Sequence, residues 1–254
     1  MKRSVSIANK AVPYATALVL LIIWEMAVRL NQLPAYILPS PLQILKTLAA
    51  MFPLLLKHTA STLEETLLGF VLAIGIAFVT AFVLNQFYWL NQAVYPLLIV
   101  SQTIPIITLA PLFLVWFGWG ILPKILIVIL VCFFPIVISL LEGLNSVDPD
   151  IISLFRSMGA SRLAIFKMVK LPSALPVFFS GLKISASYSI MAAVIGEWLG
   201  AERGLGYFMT IAQKSFRVDR VLAAVVVIAV LSLLLVKVIN LAEWLLIPWN
   251  RPES

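Results

Sequence analysis

A chain of 254 residues that is 62% hydrophobic and only 11% charged, with a mean hydropathy of +1.07, is too apolar to cover a water-facing surface, because soluble domains run near ~25% charged. The formal net charge of +7 and pI near 9.7 would point a soluble protein toward nucleic acid. In this composition, lysine and arginine instead hold membrane topology and meet acidic surfaces.

A helix needs about 20 apolar residues to cross the hydrocarbon. Six stretches qualify, at about 12–30, 60–84, 93–117, 121–144, 174–200 and 221–247. The first follows Lys2, Arg3 and Lys10 in the manner of a secretory leader, but its apolar run reaches Leu30 without a small-x-small cleavage site. It is therefore read as a retained span. Before the second span, Pro39 and Pro41 precede an amphipathic pattern of Ile44, Leu45, Leu48, Met51 and Phe52. That pattern predicts a helix lying at the interface. Inside the third span, Pro105 frees a backbone carbonyl, so a kink is expected beside Gln102 and Thr103. The single cysteine, Cys132, excludes a disulfide framework. The single histidine, His58, has no partner at ligand spacing, so no metal site is expected. The fold class read from these patterns is all-α: one transmembrane domain over residues 1–254 with six spanning helices and an interfacial helix.

The loop at 145–173 is far longer than a connection between two spans requires. Asp148-Pro149 is a helix start, with Asp as N-cap and Pro in the first turn. Ile151, Ile152, Phe155 and Met158 recur at helical spacing, and Gly159 can take the left-handed conformation that ends a helix. Ser161 caps a second short helix patterned by Leu163, Ile165, Phe166 and Val169, which Leu171-Pro172 is expected to terminate. The reading is helix, glycine turn, helix, with basic residues interleaved: a surface built to dock. Four spans separate this loop from the N-terminus, which puts both on one side. Counting Lys2, Arg3, Lys10, Arg156, Arg162, Lys167, Lys170 and Arg251, that side holds eight cations. Lys46, Lys57, Lys124, Arg203, Lys214, Arg217 and Arg220 give seven on the other. The positive-inside rule thus makes both termini and the loop cytoplasmic by a narrow margin.

The stretch Ser153-Leu154-Phe155-Arg156-Ser157-Met158-Gly159-Ala160-Ser161-Arg162, running on to Leu171-Pro172, resembles the EAA loop of binding-protein-dependent ABC importer permeases. Gly159 and Pro172 keep that loop's glycine-to-proline interval. The Glu-Ala-Ala opening falls on Ser153-Leu154-Phe155 and is absent, and Val169 stands at an isoleucine position. Trp24-Glu25, Leu38-Pro39-Ser40-Pro41, Thr103-Ile104-Pro105, Leu109-Ala110-Pro111-Leu112, Trp116-Phe117-Gly118 and Gly204-Leu205-Gly206 extend the resemblance over nearly the whole chain. They are similar to the branch serving nitrate, sulfonate, taurine and thiamine pyrimidine precursors. Ser101 to Ile107 and Gly196 to Gly200 look most like the pyrimidine members.

The resemblance implies a type I importer permease fold in the bacterial inner membrane. It also implies a homodimer beneath an extracytoplasmic binding protein, with two ATPase subunits on the loop containing Gly159. Closure of those subunits would turn the pore outward by rigid-body motion. ATP and magnesium would belong to the partners. In this chain no Gly-Lys pair occurs, so no phosphate loop can form. The chain is thus read as a non-enzyme without cofactors of its own. The competing class is a stand-alone carrier or channel driven by an ion gradient, which usually needs ionisable groups deep in the membrane. Here the acids read as clustered at span ends.

Translocation-path candidates are Gln102, Thr103 and Pro105 in the third span and Ser185, Ser189 and Glu197 in the fifth. Gly181, Ser185, Ser189 and Ala193 form a stripe of small residues at four-residue intervals, suited either to close helix packing or to a pore face. Glu197 continues the stripe near the outer end, where a carboxylate reaches water cheaply; it is read as interfacial or as part of an outer gate. Arg203, Lys214, Arg217 and Arg220 either anchor the interface or receive an acidic face of the binding protein.

Overall fold

The computed structural model describes residues 7–250, with side chains from Val12 to Trp249. The expectations placed on Lys2, Arg3 and Arg251, and on the side chain of Lys10, lie outside the described residues. All regular structure among the described residues is helical. In chain order the helices are α1 (Ile7–Leu30), α2 (Pro41–Ala50), α3 (Phe52–Gln86), α4 (Tyr88–Ser101), α5 (Ile106–Phe117) and α6 (Leu122–Asn145). They continue with α7 (Pro149–Ser157), α8 (Arg162–Ile165), α9 (Leu171–Gly200), α10 (Leu205–Lys214) and α11 (Val218–Leu246).

Five helical stretches are long and apolar enough to cross a membrane, and the pair α4 and α5, bent by 100° at its break, makes a sixth if it counts as one span. The break falls at Gln102–Pro105, where proline starts a new helix with φ −64° and ψ 115°. A proline has no N–H to continue the preceding ladder. The result is a larger reorientation than the kink read from the sequence. α3 runs 35 residues, or ~50 Å at 1.5 Å per residue. It outruns the bilayer and begins eight residues before the expected start of the second span.

The expectation that Leu171-Pro172 ends the second loop helix is not met. Helix continues from Arg162 to Gly200 through a single π-turn at Phe166–Lys170, in which the Leu171 N–H donates to the Phe166 carbonyl. The wider turn accommodates Pro172, whose ring would crowd a regular α-turn before it.

The core is the contact of α3, α6 and α9. Ala73, Ala77 and Ala81 face Cys132, Ile136 and Leu140 in one cluster with Ala186 and Ala193. Lipid tails are as apolar as leucine, so helices associate here through close packing and hydrogen bonds rather than water expulsion. The small-residue stripe on α9 supplies both. A Cβ on Gly181 would fall 2.6 Å from the Pro135 carbonyl oxygen. Next along, the Ser185 hydroxyl donates to the Cys132 carbonyl at 3.0 Å while the Cys132 thiol donates back to the Ser185 carbonyl at 3.7 Å. α1 packs mainly through its C-terminal turn, where Glu25 accepts from the Leu42 N–H at 3.0 Å and so caps α2.

Candidate coupling and translocation site

Two ends of the bundle carry the candidate residues. At one end, α10 folds back over the last turn of α9 and starts on Gly204, with φ +109°. The first N–H groups of a helix have no partner inside it, and here each finds a side chain. Gly204 donates to His58 Nδ1 at 3.1 Å, Leu205 to Thr62 Oγ1 at 2.9 Å, and Gly206 to Glu197 Oε2 at 2.6 Å. Thr62 in turn donates to Glu197 Oε1 at 2.7 Å. A carboxylate at a helix N-terminus meets the positive end of the helix dipole. A Cβ on Gly204 would collide with the Glu197 carboxylate, and one on Gly206 would lie 2.5 Å from the Val194 carbonyl oxygen. This explains Gly204-Leu205-Gly206 in physical terms: it is a backbone wrapped on an acid.

Glu197 is therefore only 1% exposed. The expectation of a carboxylate reaching water is not met, because α10 covers it. Beside it, Lys124 Nζ and Glu65 Oε1 form a buried ion pair at 2.5 Å. Glu65 interacts electrostatically with Glu197. A second ion pair, Lys183 with Glu243 at 2.5 Å, joins α9 and α11; both acids lie near the ends of the expected spans, and nothing in the sequence marked their pairing. Sequence reasoning also missed Thr62 as the donor to Glu197, Glu65 and Lys124 beside it, and His58 as the acceptor for the Gly204 N–H. Charges within apolar runs were the available signal for Glu65 and Lys124; nothing marked Thr62. A cavity of about 460 Å³ opens at this end, lined by Ser61, Glu65, Trp119, Lys124, Glu202 and Arg203 among others. Of the basic residues nearby, Arg217 is partnered by Asp219 at 2.9 Å.

At the other end, α7, a glycine turn and α8 project from the bundle. The Asp148 carboxylate accepts from the Asp150 N–H at 2.9 Å. α7 ends with the Ala160 N–H on the Phe155 carbonyl at 3.0 Å and the Gly159 N–H on the Arg156 carbonyl at 2.9 Å. That is a Schellman cap, which requires the left-handed residue that Gly159 supplies at φ +80°. Ser161 Oγ then accepts from the Ala164 N–H at 3.2 Å and starts α8. With its termini satisfied internally, the hairpin still buries no residue of α7. Ser153, Arg156, Ser157, Met158, Gly159, Ser161 and Arg162 are exposed, and Ala160 is half-buried. Leu154, Met158 and Leu163 stand in the open, Met158 at 74% exposure. Arg156, Arg162 and Lys170 line a narrow cleft of about 130 Å³ against Asn85 and Gln86. Lys170 donates to Asn85 at 3.3 Å, and no acid among the described residues pairs with any of the three cations. Leu171 and Pro172 lie behind this surface, in the first turn of α9.

The translocation candidates are not brought together. Gln102, Thr103 and Pro105 are exposed at the α4–α5 break, where Thr103 Oγ1 donates to the Val100 carbonyl at 2.8 Å. Ser185 and Ser189 are fully buried, and their hydroxyls are spent on the Cys132 and Ala186 carbonyls. The first group faces the surface with the Gln102 side chain open to a solute; in the second, Ser185 ties α9 to α6 while the Ser189 hydroxyl bonds within its own helix.

A multi-pass helical bundle with a bent span and a projecting two-helix loop defines a membrane transport subunit. The chain belongs to the family described as binding-protein-dependent transport system inner membrane component, whose model matches residues 65–251. It is the permease subunit of an ABC importer. It is 36% identical over 254 residues, the whole of both chains, to the formylaminopyrimidine transport permease protein ThiX of Halalkalibacterium halodurans. It is 36% identical over 237 residues to the riboflavin transport system permease protein RibX of Chloroflexus aurantiacus, covering 92% of this chain and 88% of that one. To the taurine transport system permease protein TauC of Escherichia coli it is 30% identical over 242 residues, again 92% and 88% of the two chains. Among solved structures it matches the inward-facing MetNI methionine ABC transporter with a TM-score of 0.56 at 22% identity, over 78% of this chain and 94% of that one. That likeness supports the shared fold.

Proposed function

We propose that two copies of this chain form the pore of an importer for an uncharged pyrimidine of the formylaminopyrimidine kind. In this reading the α7–α8 hairpin faces the cytoplasm with both termini, and two ATPase subunits that use ATP and magnesium seat on it. An extracytoplasmic binding protein delivers the solute at the α10 end. Ser153, Arg156, Ser157, Met158, Gly159, Ala160, Ser161 and Arg162 make the coupling surface, and Leu171 and Pro172 join it rigidly to α9.

The observation that carries the reading is the hairpin itself: its helix starts and glycine turn are capped, α7 buries no residue, and the surface is rich in exposed apolar side chains and in cations that no acid among the described residues pairs. A monomeric protein rarely leaves such a patch without a partner. The coupling motion would pass directly into α9, because helix is continuous from Arg162 through the π-turn. The substrate class rests on full-length similarity to a permease named for formylaminopyrimidine. The test is co-expression with candidate ATPase subunits and a binding protein, followed by ATP hydrolysis and uptake in proteoliposomes. Stimulation by the binding protein loaded with formylaminopyrimidine is the expected result. Gradient-driven uptake by this chain without any ATPase would overturn the reading.

A further inference from the structure

A polar cavity belongs neither to the Glu197 cluster nor to the hairpin. It measures about 670 Å³, lies between α4 and the last turns of α6, and is lined by Asn91, Gln92, Tyr95, Pro96, Glu142, Asn145 and Ser146. Six of these seven side chains are polar, in a chain that is 62% hydrophobic. Their spacing is that of two facing helical stripes: Asn91, Gln92 and Tyr95 on α4, with Glu142, Asn145 and Ser146 at the end of α6. Tyr95 and Glu142 fall inside the third and fourth spans, and Asn91, Gln92, Asn145 and Ser146 carry the two stripes past the span ends toward the hairpin side, so the cavity is a polar mouth at that face; ionisable groups on spanning helices mark solute or ion paths by default.

Few of these polar groups are spent within the protein. Gln92 donates to Tyr88 at 2.6 Å and Ser146 to the Gly143 carbonyl at 2.9 Å. The side chains of Asn91, Tyr95, Glu142 and Asn145 have no partner among the described residues, and Glu142 is in no ion pair there. The cavity therefore presents a carboxylate, two amides and a phenol, with no lysine or arginine in its wall.

We propose that this cavity is a solute station on the path through the permease. It takes a neutral or cationic solute rich in N–H donors, an aminopyrimidine being the fitting class, and disfavours anions such as sulfonates and nitrate. The Glu142 carboxylate accepts an amino N–H, Asn91 and Asn145 pair with ring nitrogens and N–H groups, and the Tyr95 ring offers an apolar face. A negative wall with no counter-cation repels a negative solute. This inference rests on the importer reading and names the solute chemistry of one place within it.

The test uses the full chain in lipid nanodiscs with Asn145→Cys on one wall and, separately, Gln92→Cys on the other. Cys132 is fully buried and does not compete for reagent. A cationic methanethiosulfonate is expected to label each cysteine faster than an anionic one, by a factor on the order of threefold for one unit charge nearby in a wet cavity. Adding Glu142→Gln should abolish that preference. Formylaminopyrimidine should slow labelling about threefold or more, and taurine should not. Equal labelling by both reagents regardless of Glu142, or protection by taurine as strong as by formylaminopyrimidine, or by neither, would overturn the inference. No ATPase is present in this assay, so its failure leaves the coupling experiment above untouched.

Discussion

The two ends of the bundle handle their charges in opposite ways. Around Glu197 each N–H from Gly204 to Gly206 has a side-chain acceptor, and the nearby Lys124 is paired with an acid. On the α7–α8 hairpin the backbone is equally well capped, yet among the described residues Arg156 and Arg162 have no acid, and Leu154, Met158 and Leu163 have no cover. Both ends are locally rigid. The difference lies in the side chains: one end closes on itself, and the other is shaped in advance for something else. Rigidity together with unspent surface is what a coupling element needs, because a floppy loop would absorb motion that a capped hairpin transmits.

The comparison breaks most visibly at Lys124. Lys124→Met leaves Glu65 buried without a counter-ion and beside Glu197, which should cost about 3–5 kcal/mol. Thermal unfolding in nanodiscs should show it, and Glu65→Leu combined with Lys124→Met should recover most of the loss. A single substitution as stable as the parent would mean that water reaches the pair.

Next in size is Glu197→Ala, which strips the acceptor from Thr62 and Gly206 together. Charge-assisted hydrogen bonds of this kind contribute about 1.5–3 kcal/mol each, though measured values inside membranes run lower. A loss of roughly 2–3 kcal/mol is expected. Amide exchange should accelerate at Leu205 and Gly206 and stay unchanged in α7, whose caps are independent of this end.

How much of this was legible beforehand follows from the range of the interactions. The spans are written in runs of apolar residues, and the hairpin is written in Asp148, Gly159 and Ser161, whose capping bonds reach at most five residues. The break at Pro105 was visible as a kink, but its 100° angle depends on packing. The Glu197 lock was not legible, because Thr62 lies 135 residues away in sequence. α10 escaped notice although it is as long as α2, because it starts on Gly204 without the Ser-Pro start that marks α2. The prolines at 41 and 172 show the limit of local rules. Both sit in the first turn of an α-helix, yet only Pro41 begins one outright; Pro172 follows a π-turn at Phe166–Lys170 that carries the helix through from α8.

At the hairpin the stability effects are smaller and the functional ones larger. A Cβ at Gly159 meets nothing within 4 Å, so the cost of Gly159→Leu comes chiefly from the φ of +80°, about 1–2 kcal/mol for a residue with a Cβ. Global unfolding should barely move, since α7 buries nothing. Uptake per ATP hydrolysed should fall about tenfold or more, because the docking shape depends on the turn. Gly159→Asn, which tolerates the left-handed region, should retain most of the coupling. Full coupling in the leucine variant would show that the turn geometry is not what the ATPase reads.

The smallest effect isolates the cap from the surface. Ser161→Ala removes the acceptor for the Ala164 N–H without touching Arg156, Arg162 or the exposed apolar side chains. An N-cap contributes about 1 kcal/mol, here to a helix continuous with α9. The first turn at Arg162–Ile165 should fray, and amide exchange at Ala164 should rise about fivefold. ATPase binding should weaken by a similar factor if the hairpin docks as a preformed body. If exchange rises and binding does not, the partner selects the folded turn from a frayed ensemble at little cost, and preorganisation at this end matters less than its chemistry.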